Sequence, residues 1–100
     1  MNLNIELTDE AKEDAALVVK WHDKQKEGLG DSFITNLNDT LEKIKNNPAA
    51  YKKVYRLVRQ AALQKLLYVV LYKIDGQIIT VHCIFHTNQK PVKKIKRLKK

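Results

Sequence analysis

The hydrophobic pattern of the chain begins with strict alternation and then takes on a helical period. Residues 3–7 alternate apolar and polar side chains, which predicts a half-buried strand. Thr8 can accept a hydrogen bond from a free backbone N–H, and Asp9 and Glu10 suit the positive end of a helix dipole. We therefore expect the first helix to begin at Thr8.

The first predicted helix carries one broad apolar face opposite a charged face. The apolar positions on a helical wheel are Ala11, Ala15, Leu17, Val18, Val19 and Trp21. Asp14, His22 and Gln25 lie on this face or at its margin. Polar groups in such positions are more often hydrogen-bonded core-edge residues than functional ones, so we expect that role here.

A second helix follows after a glycine hinge. Gly28-Leu29-Gly30 provides two positions that can adopt positive φ, so the first helix can end there and the chain can reverse. An apolar stripe at helical spacing then consists of Phe33, Leu37, Leu41 and Ile44. Asn46-Asn47-Pro48 stops it, because proline disfavours helical geometry in the residue before it. The pattern predicts a helical hairpin.

Three β-rich segments follow Tyr51, at residues 54–62, 66–73 and 77–85. Asp75-Gly76 is typical of the short hairpin turn between the last two. The middle segment is apolar on both faces, which predicts a central strand covered on both sides. The order β-α-α-β-β-β predicts an α+β fold in which the helical hairpin packs on a small antiparallel sheet.

Length and cysteine content narrow the class of protein. A chain of 100 residues suits one domain with a single modest core. Its one cysteine, Cys83, cannot form an internal disulfide, and no Cys/His spacing resembles a zinc site. No signal-peptide pattern or bilayer-length apolar run is present. We expect a cytoplasmic protein without membrane association, and no metal or cofactor, because no nucleotide or flavin motif occurs.

Positive charge is concentrated at the C-terminus. The net charge is +8, but residues 90–100 hold seven basic and no acidic side chains, while the first 89 residues carry 12 basic and 11 acidic ones. This basic tail either attracts phosphate-bearing or acidic macromolecules or acts as a solvated solubility tail, and both interpretations stand. Val92, Ile95 and Leu98 allow a short amphipathic helix, and a frayed coil fits as well.

Several short motifs stand in a fixed order along residues 3–91. The hinge Gly28-Leu29-Gly30 lies between Trp21 and Phe33, and Asn47-Pro48 is followed by Tyr51 and Val54. A later segment reads Arg59-x-Ala61-x-Leu63-x-Lys65, then Tyr68-Val69-Val70-Leu71-Tyr72, and His86 closes the last strand. In combination these motifs resemble the RelE/ParE superfamily of small bacterial toxins from type II toxin-antitoxin modules. The Gly-Leu-Gly hinge with Asn-Pro-x-x-Tyr is closer to the ParE-like branch.

The resemblance implies a toxin domain over residues 1–91 followed by a basic tail over 92–100. It implies growth inhibition by a protein that binds DNA gyrase rather than by an enzyme, and a cognate antitoxin that neutralises it in a hetero-oligomer. The RelE-like alternative is a ribosome-dependent mRNA endoribonuclease. A third hypothesis is a decayed family member that has lost toxicity but still binds its antitoxin.

The resemblance also implies which residues carry the site. Nuclease members use basic groups and an acid/base residue on the ribose 2′-hydroxyl and the phosphorane-like transition state, and the matching candidates are Arg59, Lys65 and His86. Gln89 replaces a frequent arginine, so one electrostatic contribution is missing. Arg59, Lys65 and His86 could line a cationic groove together with His82. We expect His82 itself to be buried. Candidates for binding the target or antitoxin are Arg56, Arg59, Lys65, Lys90, Lys93, Lys94 and Arg97.

Overall fold

The computed structural model describes residues 3–87. Its elements in chain order are β1 (Asn4–Leu7), α1 (Asp9–Gln25), α2 (Leu29–Asn46), a short 3₁₀ helix (Pro48–Ala50), β2 (Lys53–Tyr55), β3 (Val58–Ala62), β4 (Tyr68–Asp75) and β5 (Ile78–His86). The predicted domain boundary at residue 91, the tail helix and the basic candidates Lys90, Lys93, Lys94 and Arg97 lie outside the described residues.

The strands form one five-stranded sheet in the order β1-β5-β4-β3-β2. The meander β2 to β5 is antiparallel throughout, and the antiparallel pairing of β3, β4 and β5 was predicted. β1 instead lies parallel to β5, with Asn4 opposite Ile78, so the sheet as a whole is mixed. Strand direction does not appear in a hydrophobic pattern, because the side-chain period is the same in parallel and antiparallel strands. The predicted α+β fold with a helical hairpin on a small sheet is confirmed.

The start of α1 follows the predicted capping chemistry. The Thr8 hydroxyl accepts a hydrogen bond from the Ala11 N–H at 3.1 Å, and Asp9 and Glu10 occupy the first turn. The Thr8 N–H donates to the Val81 carbonyl at 3.0 Å, which ties the helix start to β5. The cap therefore fixes both the first residue of α1 and its position over the sheet.

The two hinge glycines have different roles. Gly28 adopts a left-handed φ of 91° and ends the connection between the helices. Gly30 already belongs to α2, and its N–H donates to the Asp23 carboxylate at 2.8 Å. A Cβ at Gly30 would lie 2.7 Å from the Val19 Cγ1, so this glycine allows α1 and α2 to approach closely.

β4 is the central strand, and its side chains alternate between two apolar clusters. Tyr68, Val70 and Tyr72 join the larger cluster beneath the helices, while Val69 and Leu71 join a smaller cluster on the opposite face. The predicted stripe of α2 packs into the larger cluster. A central strand with two apolar faces was predicted and is confirmed.

The predicted strand over residues 54–62 is wrong in one respect, because the chain turns within it. Arg56 takes a φ of 48° and separates β2 from β3. Arg56 also places its guanidinium 5.3 Å from the centre of the Tyr55 ring. The segment therefore forms a tight hairpin at the sheet edge, without the glycine that usually signals such a turn.

The predicted apolar face of α1 is also wrong in one respect, because Leu17 and Trp21 are exposed. Ala11 and Ala15 are buried and bring α1 close to the sheet, and Val18 and His22 continue their line at helical spacing. Leu17 and Trp21 each precede a member of that line by one residue, about 100° away around the helix. They therefore project beside the contact with the sheet.

Candidate functional site

An open apolar pocket lies where the second half of α1 meets the β3–β4 loop and the end of β5. Its volume is about 620 Å³. We call it the Trp21 pocket, and its lining residues are Leu17, Val18, Trp21, His22, Lys65, Leu66, Leu67, Tyr68 and His86. A concave site of this size with mostly apolar walls is typical of a binding site.

Three large apolar side chains at this pocket are strongly exposed. Leu17 is 66% exposed, Trp21 56% and Leu67 64%. Leu17 and Trp21 are four residues apart and therefore lie on one side of α1. Clustered exposed apolar side chains mark interaction sites more than scattered ones do.

The loop that carries Leu67 is held by backbone hydrogen bonds at both of its ends. The Leu63 N–H donates to the Tyr68 carbonyl at 2.9 Å. The Leu67 carbonyl accepts from the Thr87 N–H at 2.8 Å, just beyond β5. A partner that binds Leu67 consequently meets a loop with a defined backbone path, which lowers the entropic cost of binding.

The inner wall of the pocket is a chain of aromatic rings centred on Tyr68. Its hydroxyl shares a 3.2 Å hydrogen bond with the His22 Nε2. The Tyr68 ring packs edge-on against Phe33 and against His86, with centroid distances of 5.2 Å in both cases. Burial raises the pKa of Tyr68, so its hydroxyl is protonated at neutral pH.

The pocket carries little positive charge. Among its lining residues only Lys65 bears a permanent cation, and His22 and His86 are the other basic side chains. Stabilising the dianionic transition state of phosphoryl chemistry normally requires several cations or oriented donors around the reacting phosphate. The composition of the pocket therefore suits an apolar ligand surface better than a phosphate.

Arg59 lies outside this pocket and binds the backbone at the other end of β3. Its guanidinium Nη1 donates to the Tyr51 carbonyl at 2.6 Å and to the Ala49 carbonyl at 3.1 Å. Beside it, the Tyr72 hydroxyl donates to the Pro48 carbonyl at 2.6 Å. Together these groups satisfy carbonyls of the connection that leads from α2 to β2.

Two further basic candidates also lie apart from the Trp21 pocket. Arg56 is at the β2–β3 turn, and His82 lies at an irregularity of the β4–β5 pairing, where the register shifts between Leu71 and Tyr72. Burial, followed by the charge of Lys73, lowers the pKa of His82, while Glu10 opposes the shift. Of the residues proposed for a cationic groove, the structure places Lys65 and His86 at one pocket and Arg59 and His82 elsewhere.

The sequence pattern did not single out Leu17, Trp21 or Leu67 as site residues. Leu17 and Trp21 had the same apolar signal as core positions on the helical wheel. Leu67 belonged to an apolar run that predicted a strand, whereas β4 begins only at Tyr68. The available signal was the four-residue spacing of Leu17 and Trp21, which places both on one side of α1.

Within residues 3–87, no group of three or more His, Cys, Asp or Glu side chains is arranged to hold a metal ion. Over the same residues, no helix is both long and apolar enough to span a lipid bilayer.

Two helices packed on a five-stranded mixed sheet give this chain the α+β fold that solved ParE- and RelE-type toxin structures share. The toxin of a chromosomal ParDE system from P. aeruginosa has this fold, with a TM-score of 0.75 at 12% identity over 85% of this chain and 96% of that one. The sequence profile described as "ParE toxin of type II toxin-antitoxin system, parDE" matches residues 5–91. This chain therefore belongs to the ParE toxin family.

Two solved toxin-antitoxin complexes share the fold with lower TM-scores. The Mycobacterium tuberculosis RelBE2 toxin-antitoxin complex gives a TM-score of 0.57 at 15% identity, over 86% of this chain and 99% of that one. The E. coli DinJ-YafQ toxin-antitoxin complex gives 0.55 at 14% identity, over 86% and 93%. A comparison with curated protein sequences finds no match. At these identities the similarity establishes the fold alone.

Proposed function

We propose that this ParE-family toxin arrests growth in the cytoplasm by binding DNA gyrase, and that a cognate antitoxin neutralises it. The Trp21 pocket carries the proposal. It presents three exposed apolar side chains, Leu17, Trp21 and Leu67, around one permanent cation, Lys65. Aromatic and aliphatic anchors of this kind are typical of protein–protein interfaces, whereas a nucleic-acid site relies on clustered cations.

The position of Arg59 supports binding rather than catalysis. Its two short bonds to the Ala49 and Tyr51 carbonyls engage the guanidinium in the fold. Without it, Lys65 and His86 are the candidate catalytic groups that remain at the pocket. Lys65 and His86 alone stabilise the phosphorane-like transition state of RNA cleavage less than the expected set of basic residues would.

The antitoxin is the second partner in this proposal. Solved structures that share the fold include the RelBE2 and DinJ-YafQ toxin-antitoxin complexes. A hetero-oligomer with an antitoxin segment that orders on the toxin surface follows from the same family relation. Besides Lys65 at the Trp21 pocket, basic side chains that remain candidates for contact with either partner are Arg56, Lys90, Lys93, Lys94 and Arg97.

A gyrase supercoiling assay with purified toxin tests the proposal. Leu67→Ser has a matched control in Leu57→Ser, because Leu57 is 65% exposed and Leu67 64%, and each leucine directly precedes a strand, β3 and β4 respectively. We expect the wild type and Leu57→Ser to inhibit gyrase equally and Leu67→Ser to require at least about tenfold more toxin, which corresponds to about 1.4 kcal/mol of binding free energy. Unimpaired supercoiling at saturating wild-type toxin would refute the proposal.

A ribosome-dependent mRNA endoribonuclease is the second candidate, because Lys65 and His86 line one pocket and His86 contacts Tyr68. Histidine can act as a general acid or base near neutral pH. This function predicts cut transcripts in a translating extract, with cleavage lost in His86→Ala and in Lys65→Ala. Intact transcripts would exclude it. A wild-type chain that binds antitoxin but affects neither gyrase nor transcripts would be a non-toxic family member.

A further inference from the structure

A second, polar depression adjoins the Trp21 pocket. Its volume is about 370 Å³, and we call it the α2 depression. Its lining residues on α2 are Asp31, Ser32, Thr35, Asn36 and Asp39. These positions follow the i, i+1, i+4, i+5, i+8 spacing of one helix face, so they form a continuous wall. Lys65 and Leu66 line both the pocket and the depression, which makes the two cavities neighbours across the β3–β4 loop.

The α2 depression is rich in hydrogen-bond acceptors. Asp31 and Asp39 are exposed carboxylates two helical turns apart on its wall. Between them, the Asn36 Oδ1 is buried and has no hydrogen-bond partner. The nearby Thr40 hydroxyl donates to the backbone carbonyl of Asn36 instead. A buried acceptor without a donor is unfavourable, so a donor that reaches it contributes to binding.

We propose that the Trp21 pocket and the α2 depression form one binding surface for a segment of the target protein. A bulky apolar side chain of that segment enters the pocket beside Trp21 and Leu67, and a Lys or Arg side chain enters the depression beside Asp31 and Asp39. The inference rests on the proposed function, since it assumes a protein target. It adds the chemistry of the recognised segment, which carries an apolar anchor and a basic side chain close to each other.

Charge complementarity favours this occupant over an acidic antitoxin segment. The chain as a whole has a net charge of +8 and attracts acidic partners. Asp31 and Asp39 reverse that preference locally, because a carboxylate placed beside them would be repelled. Arginine offers five donors that suit carboxylate and amide oxygens. Lys65 lies where the two cavities meet and repels a second cation at that point. The basic side chain of the partner is therefore directed toward Asp31 and Asp39 on α2.

The double variant Asp31→Asn with Asp39→Asn tests this surface in the supercoiling assay. Glu13→Gln with Glu42→Gln is the matched control, because both glutamates are exposed helical acids outside the two cavities. We expect the asparagine pair to raise the half-inhibitory toxin concentration about tenfold at low salt and to leave the antitoxin Kd unchanged, whereas the control alters neither. Equal inhibition by the two double variants would overturn the inference.

A peptide titration tests the same surface independently of gyrase. The probes are acetylated and amidated peptides with Phe and Arg separated by one to three serines, and a matched series with Glu in place of Arg. We expect the Arg series, at millimolar concentration, to shift the backbone amide NMR signals of Ser32, Thr35 and Leu67, and the Glu series to leave Ser32 and Thr35 unshifted. Identical shifts with both series would overturn the inference even if gyrase is inhibited. If the peptides give the expected shifts but the wild-type toxin does not inhibit gyrase, the proposed target is wrong and the proposed binding surface still stands.

Discussion

Two tyrosines on the same face of β4, four residues apart, lie in opposite kinds of surroundings. The Tyr72 hydroxyl donates to the Pro48 carbonyl at 2.6 Å, beside the Arg59 bonds to two further carbonyls. The Tyr68 hydroxyl shares a longer 3.2 Å bond with His22 at the wall of an open pocket. One end of the strand is therefore closed by polar contacts to the backbone, and the other is open to a partner.

Two exposed leucines, one directly before β3 and one directly before β4, extend the comparison. Leu57 and Leu67 are equally exposed, at 65% and 64%. Leu57 is adjacent to Arg56 at the β2–β3 turn, whereas Leu67 lines a pocket with Leu17 and Trp21. Exposure alone does not distinguish a binding residue, but grouping with other apolar side chains around a concave surface does. The closed end stabilises the fold, and the open end is the proposed site of function.

Replacing Arg59 should produce the largest change in stability. Arg59→Met removes both charged hydrogen bonds to the Ala49 and Tyr51 carbonyls, and we expect a loss of about 1.5–3 kcal/mol in the free energy of unfolding. Urea unfolding followed by circular dichroism measures it. Inhibition of the target per folded molecule should stay at the wild-type level. A stable variant with no activity would instead assign Arg59 to the site.

Removing one hydroxyl at each end of β4 sharpens the contrast. Tyr72→Phe removes the donor to the Pro48 carbonyl from a side chain that is fully buried, which we expect to cost about 1–3 kcal/mol. Tyr68 lies beside an open pocket, where water can replace the hydrogen bond that Tyr68→Phe removes. We therefore expect this variant to lose less than about 1 kcal/mol of unfolding free energy. Unfolding curves of the two variants under identical conditions make the comparison. Equal losses would mean that the two ends are equally closed.

Alkaline pH should lower the free energy of unfolding, through the ionisation of Tyr72 at the closed end of β4. Burial, opposed by Arg59 and reinforced by Tyr51, raises the pKa of Tyr72 to about 12. The folded state therefore holds its phenolic proton more tightly than the unfolded state does, so this stabilisation is complete below about pH 10 and is lost as the pH rises toward 12. Ultraviolet titration of the four tyrosines should show an ionisation step near pH 12 that belongs to Tyr72. That step should disappear in Tyr72→Phe, and its persistence would contradict the assignment.

Mild acid should lower the free energy of unfolding by a smaller amount, through the protonation of His82. Its pKa is lowered mainly by burial and also by Lys73. The unfolded chain then binds a proton more readily, so the stability present above about pH 6.5 decreases as the pH falls through the lowered pKa. NMR titration of the histidine side chains measures the value, and Lys73→Gln should raise it. A His82 that titrates at or above the ordinary value would contradict this account.

The sequence was sufficient for features that depend on local chemistry. Thr8 and the acids after it predicted the start of α1, and the apolar run of β4 predicted a central strand. The role of Arg59 was not predictable, because its partners are carbonyls of a segment 8 and 10 residues earlier whose path depends on the fold. The exposure of Trp21 was not predictable either. An apolar side chain one position away from the packed line of a helix gives the same periodic signal as a core residue.

Hydroxyl-radical footprinting of the toxin, alone and bound to gyrase, tests the central claim most directly, because it measures the protection of individual side chains. We expect oxidation of Trp21 and Leu67 to fall several-fold in the complex and oxidation of Leu57 to stay unchanged. Full oxidation of Trp21 and Leu67 in a complex that still inhibits gyrase, or selective protection of Leu57, would contradict the assignment of function to the open end of β4.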